Sequence, residues 1–136
     1  DVAPSNVCCI CATAPFVQAK DIKRGLNLLA SSGADFAFSI TSFAFPIQRA
    51  IRITKEHRVE MFQPEHLNTR SQDLDEAWHD AGQFYWGKPL AWLEGKRLFS
   101  SSAAPVILPR YRVQDIDTPE DWERAELMFS TLTAIS

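Results

Sequence analysis

Two hydrophobic rhythms alternate along the chain. Val7 to Ala12 is an uninterrupted apolar run, the pattern of a central parallel strand covered on both faces. From Asp21 to Ser32 the apolar positions fall at Ile22, Leu26, Leu29 and Ala30, a helical spacing closed by Gly33. Phe36 to Phe43 is again continuous, apolar and β-branched. Strand, helix and strand over about forty residues make a βαβ unit, which predicts a parallel sheet with a right-handed crossover.

The middle reads differently. Ile51 and Ile53, then Val59 and Met61, alternate on either side of Lys55 to His57, the spacing of a two-stranded hairpin. "QPEHLNTRSQDLDEAWHDAG" is polar with little periodicity, and connections of that length are usually functional or docked on a partner. "GQFYWG" returns to strand character, "KPLAWLEGK" predicts a short helix, "APVILP" a strand and "RYRVQDID" a last strand. A C-terminal helix begins at Thr118-Pro119-Glu120-Asp121. Thr118 is its N-cap, Pro119 sits where a missing N–H costs nothing, and Asp121 takes the capping-box position. The pattern as a whole is α/β.

Composition narrows the class. At 136 residues with 46% hydrophobic and 11% aromatic residues, the chain is about one domain with a real core. A net charge of −3 gives no reason to expect nucleic acid as a partner. No apolar run approaches the roughly 20 residues that span a bilayer, so no membrane partner is expected. Cys8, Cys9 and Cys11 cluster without a second cysteine pair. The expected reading is a buried strand rather than a zinc or redox site, and a reducing, cytoplasmic compartment. A chain opening on Asp1 rather than Met is read as processed or truncated.

Chemistry concentrates in "VQDIDTPEDWERAE". Its later acids belong to the first turns of the helix, where the dipole favours them. Asp115 and Asp117 precede the cap, and at the end of a strand both would point to one side. Such a pair is either a cation site, for which Mg²⁺ is the natural occupant, or a solvated loop. Ligands of open α/β sheets bind beyond the carboxyl ends of strands, so Thr13, Arg49 and the Asp115/Asp117 pair are expected to converge on one crevice. No glycine-rich phosphate loop accompanies them.

Four segments, "CCICATAPFV", "FSITSFAFPIQRA", "RSQDLDEAWHDAGQFYWG" and "LPRYRVQDIDTPEDWERAE", together resemble the nonulosonate cytidylyltransferases, which activate sialic-acid-like sugars with CTP. "DAGQFYWG" resembles the pseudaminic acid branch in particular. The resemblance implies part of a doubly wound, mostly parallel, Rossmann-like sheet over 1–136. It also implies that 45–81 is an inserted excursion for the sugar site and for dimerisation, and hence a homodimer. The implied reaction transfers CMP from CTP to the anomeric hydroxyl of an acidic nine-carbon sugar, pseudaminic acid, with release of pyrophosphate. N-acetylneuraminate or legionaminate is the alternative substrate, and a non-catalytic α/β dimerisation or ligand-binding module is the alternative class. Asp115 and Asp117 match the Mg²⁺-binding pair. Thr13, Ala14 and Pro15 match the loop beside nucleotide and sugar, although Cys11-Ala12 stands where many sialic acid relatives have Gln-Pro. Arg49, Arg70, Gln72, Asp80, Gln83 and Tyr85 fall in segments facing the sugar, with Arg70 or Arg49 holding its carboxylate and His79 within reach. The family's opening strand and glycine- and lysine-containing CTP loop have no counterpart here. The chain is therefore expected to be a C-terminal portion, inactive alone.

Overall fold

The first helix shows how the sequence builds the architecture. In the computed structural model, which describes residues 3–135, α1 spans Ala19–Ser32 and ends on Gly33 in the left-handed region at φ 74°. Asp21, Gly25 and Leu29, one turn apart, form its buried line. Gly25 allows a close approach: a Cβ there would lie 2.8 Å from Phe84 Cε2 and 2.9 Å from Trp86 Cδ1. Trp86 Nε1 in turn donates to the Ile22 carbonyl at 2.8 Å.

Phe84 and Trp86 belong to β5 (Trp78–Gly87), which lies inside a four-stranded sheet of order β1-β5-β2-β6, with β1 at Val7–Ile10, β2 at Phe36–Ser42 and β6 at Ala103–Ile107. β2 pairs in parallel with β6, Phe36 opposite Ala103, whereas β1 pairs antiparallel with β5, Val7 opposite Gly87. The sheet is thus mixed, and the expected mostly parallel sheet is corrected. β5 is inserted between the two strands of the expected βαβ unit. Strand direction depends on where the chain has travelled before pairing, and the composition of "GQFYWG" carries no record of that.

The second correction concerns β1. It is the end strand of the sheet, with Ile10 50% exposed, Cys9 exposed, and Cys8 and Cys11 half-buried. It is not a covered central strand, and its thiols are not enclosed. The core instead gathers Leu29 from α1, Ala37 from β2, Ala81 and Phe84 from β5, and Ala104, Val106 and Leu108 at β6. Ser39, buried in β2, accepts from the backbone N–H groups of Gln83 and Phe84, both at 3.2 Å.

A third correction concerns "RYRVQDID", expected as a strand. Arg110–Arg112 is a single 3-10 turn, and residues 113–116 have no regular structure. After it, α3 runs from Pro119 to Ile135, and α2 is a short helix at Pro89–Leu93.

Two compact units are present: 1–41 with 80–136, and 42–79. The second carries the hairpin of β3 (Ile51–Ile53) and β4 (Val59–Met61), with Ile51 opposite Met61 and Ile53 opposite Val59, and 3-10 turns at Pro64–His66 and Ser71–Asp73. Among its described residues none is buried. Phe45 is 81% exposed, Ile53 75% and Val59 72%.

Candidate functional site

One cluster assembles several of the expected site residues in the first unit. Thr13, in the loop after β1, donates from Oγ1 to Asp115 Oδ1 at 2.9 Å. The Ile116 N–H donates to the same oxygen at 3.0 Å. Asp115 Oδ2 faces Gly82, whose φ is +61°; a Cβ at that residue would lie 3.6 Å from the oxygen. Glycine both adopts this left-handed conformation without strain and leaves the carboxylate room. Thr13 and Asp115 therefore meet, although Asp115 lies on a loop and not at the strand end from which that was expected.

Asp80 and Tyr85 complete the cluster. Asp80 Oδ1 accepts from the Gly82 N–H at 2.8 Å, and Oδ2 accepts from the Tyr85 hydroxyl at 2.5 Å. Tyr85 also stacks on Phe38, with ring centroids 5.8 Å apart. Burial, and then the bond to the Asp80 carboxylate, push the Tyr85 phenol far above its ordinary range, so it remains protonated and donates. Burial raises the pKa of the Cys11 thiol, followed by the nearby Cys9, and then by the Asp80 and Asp115 charges, against a lowering by Tyr85. A thiol held protonated in this way is a poor nucleophile.

Other candidates of the first unit make different contacts. Ala14 is buried and contributes to the interior, and Pro15 is exposed. Pro15 borders an apolar groove of about 360 Å³ formed with Phe16, Ile116, Trp122, Ala125 and Phe129. Gln83 is only 1% exposed; its Nε2 donates to the Arg112 carbonyl at 2.6 Å. It is a strap between β5 and the 3-10 turn rather than a surface group open to a sugar. In the second unit, Arg49 donates to the Thr69 carbonyl at 2.5 Å. Arg70 pairs with Asp73 through two bonds, Nε to Oδ2 at 2.7 Å and a terminal nitrogen to Oδ1 at 3.2 Å. Gln72 is exposed in the same turn, and His79 packs against Phe43 with centroids 4.7 Å apart.

Asp117 is exposed, and its N–H donates to Asp121 Oδ2 at 3.2 Å. Among the described residues no group of three or more His, Cys, Asp or Glu side chains is arranged to hold a metal ion. Thr13 and Asp115 present hard oxygen, the donor type that suits Mg²⁺, which takes one or two carboxylates and fills its shell with phosphates and water. Sequence reasoning did not single out Arg112, Gln114 or Asp21 as parts of this region. Their partners lie up to 91 residues away, and no local spacing signals such a pair.

No protein-family model matches the chain. Curated relatives do. Pseudaminic acid cytidylyltransferases from two strains of Campylobacter jejuni are each 40% identical over 124 residues, covering 91% of this chain and 53% of theirs. A Helicobacter pylori protein named pseudaminic acid cytidylyltransferase and UDP-2,4-diacetamido-2,4,6-trideoxy-beta-L-altropyranose hydrolase is 34% identical over 110 residues, 80% of this chain and 21% of that protein. The chain spans about half the length of the Campylobacter relatives. Across that half it is similar to proteins named pseudaminic acid cytidylyltransferase, the branch that its own motifs resemble.

Proposed function

We propose that the protein to which this chain belongs transfers CMP from CTP to the anomeric hydroxyl of pseudaminic acid, releasing pyrophosphate. The observation that carries this reading is the bond from Thr13 to Asp115, which joins the loop after β1 to the acidic segment before α3. Relatives bearing the cytidylyltransferase name at 40% identity support the reaction class. Asp115 and Asp117 would hold Mg²⁺, which offsets the charge of the phosphate oxygens in this kind of transfer. Thr13 holds one Asp115 oxygen in place, and Gly82 leaves space beside the other. Tyr85, kept protonated against Asp80, shapes the neighbouring wall. Arg49 or Arg70 would hold the sugar carboxylate, which a planar guanidinium can take bidentately.

The finer architecture belongs to the same proposal. The β1 edge carries Val, Cys, Cys and Ile with no charge or proline to discourage pairing. In a protein of the relatives' length, a further strand on that edge would extend this mixed sheet towards a doubly wound, Rossmann-like one. The open apolar surface of 42–79 fits a second copy of the chain, giving a homodimer.

The complete encoded protein, supplied with CTP, Mg²⁺ and pseudaminic acid, is expected to release pyrophosphate and form a CMP-sugar. Asp115→Asn should reduce turnover by at least about a hundredfold, since it removes the anionic oxygen from the proposed ion. A fully active Asp115→Asn protein would sink the assignment. Faster turnover on N-acetylneuraminate or legionaminate would move the substrate within the class.

A further inference from the structure

The segment from Arg112 to Asp117 carries both acids, yet it pairs with no strand. A backbone without a ladder must satisfy its polar groups in other ways, and here side chains supply the bonds. Gln83 Nε2 takes the Arg112 carbonyl at 2.6 Å. Gln114 Nε2 donates to the Asp115 carbonyl at 2.7 Å and to Asp121 Oδ1 at 3.2 Å. Asp121 Oδ2 accepts from the N–H groups of Asp117 and Thr118. The segment is thus strapped at both ends.

At its upstream end stands a buried ion pair. Arg112 donates to Asp21 Oδ2 at 2.7 Å, with the two side chains only 9% and 5% exposed. Asp21 lies in the first turn of α1, and its other oxygen meets Arg24 at 3.2 Å. A pair this enclosed offers weak stability for its desolvation cost, and apolar residues of like volume often serve as well. What it does supply is direction. A guanidinium held on a helix defines where the chain leaves the 3-10 turn, three residues before Asp115.

We propose that the Arg112–Asp21 pair is a positioning device for the Asp115 carboxylate, holding the unpaired segment so that Asp115 meets Thr13 and faces Gly82. The role rests on the reading of Asp115 as a Mg²⁺ ligand. Arg112 touches no reacting atom; it acts through the backbone of residues 112–115, as the outer partners of metal ligands do.

The test uses the complete encoded protein with Arg112→Lys, Arg112→Met and the double change Asp21→Asn with Arg112→Met. Arg112→Met alone leaves the buried Asp21 carboxylate with only the half-exposed Arg24 and is expected to fold poorly. The double variant removes both charges and is expected to fold. It should need about tenfold more Mg²⁺ for half-maximal activity while KM for the sugar shifts by less than about twofold. Arg112→Lys, which keeps the charge without the planar fork, should fall between wild type and the double variant. A folded double variant with wild-type Mg²⁺ activation overturns the proposal. If the double variant does not fold, wild-type Mg²⁺ activation in Arg112→Lys overturns it equally. A wild-type protein that transfers no CMP would instead defeat the functional reading. Hydrogen exchange then decides the positioning on its own. Faster exchange at the Ile116 and Asp117 amides in the variants, with the β2 and β6 amides unchanged, supports the device, and unchanged exchange at those two amides overturns it.

Discussion

Thr118 and Asp121 hold each other reciprocally. The Asp121 N–H donates to Thr118 Oγ1 at 3.2 Å, while Asp121 Oδ2 accepts from the Thr118 N–H at 2.9 Å and the Thr118 hydroxyl at 2.7 Å. Thr118→Ala removes the capping oxygen and should cost about 1 kcal/mol of stability, read from the urea midpoint. The hydroxyl of Thr118, and next the Asp117 N–H, hold the Asp121 carboxyl below its ordinary value. A lowered folded pKa means that these bonds stabilise the fold above the unfolded pKa of about 3.9 and that this support fades as pH falls through the folded value. In an NMR titration the Thr118 amide should therefore follow Asp121 with a midpoint below that figure. A midpoint at or above it would contradict the cap. This cap was legible in the sequence because every partner lies within four residues. The role of Gln83 was not. Its type suits a sugar site, and only its enclosure between β5 and the 3-10 turn shows that it serves the backbone.

At the scale of elements, Gly25 sets two effects against each other. Alanine in a helix interior is favoured over glycine by about 1 kcal/mol. On α1, however, the added methyl would press into Phe84 and Trp86, where overpacking costs about 1–3 kcal/mol. Gly25→Ala should therefore lower the urea midpoint, and a raised midpoint would mean that the α1–β5 contact yields easily. The helix itself and the hairpin were legible from periods of 3.6 and 2, and the strands β2 and β6 from short apolar runs. The residues 113–116 were not, although their pattern suits a strand. Gln114 Nε2 takes the Asp115 carbonyl and Asp115 Oδ1 takes the Ile116 N–H, groups that a ladder would otherwise bond. The position of β1 was hidden for a related reason. An apolar run states that both faces or an edge must be covered, and it does not say by what.

At the scale of the whole molecule, the exposed Ile51, Ile53 and Val59 lie on one face of the hairpin, in a unit without buried residues of its own. Apolar surface of this extent usually marks an association site. Light scattering of the complete protein should report a dimer at micromolar concentration, and Ile53→Asp with Val59→Asp should shift it to monomer. A wild-type monomer would remove the dimer from the proposal. The sequence by itself determined the α/β character, the hairpin, the capped C-terminal helix, and the acids that carry the resemblance to cytidylyltransferases. All of these are written in spacings of a few residues or in short motifs. Tertiary structure alone decided that β5 separates β1 from β2, that Asp115 reaches Thr13 from a loop, and that Arg112 is clasped by Asp21. Those pairings join groups 45 to 102 residues apart. Their energy comes from burial and contact geometry that exist only once the chain has closed, so no local pattern of residue types could encode them.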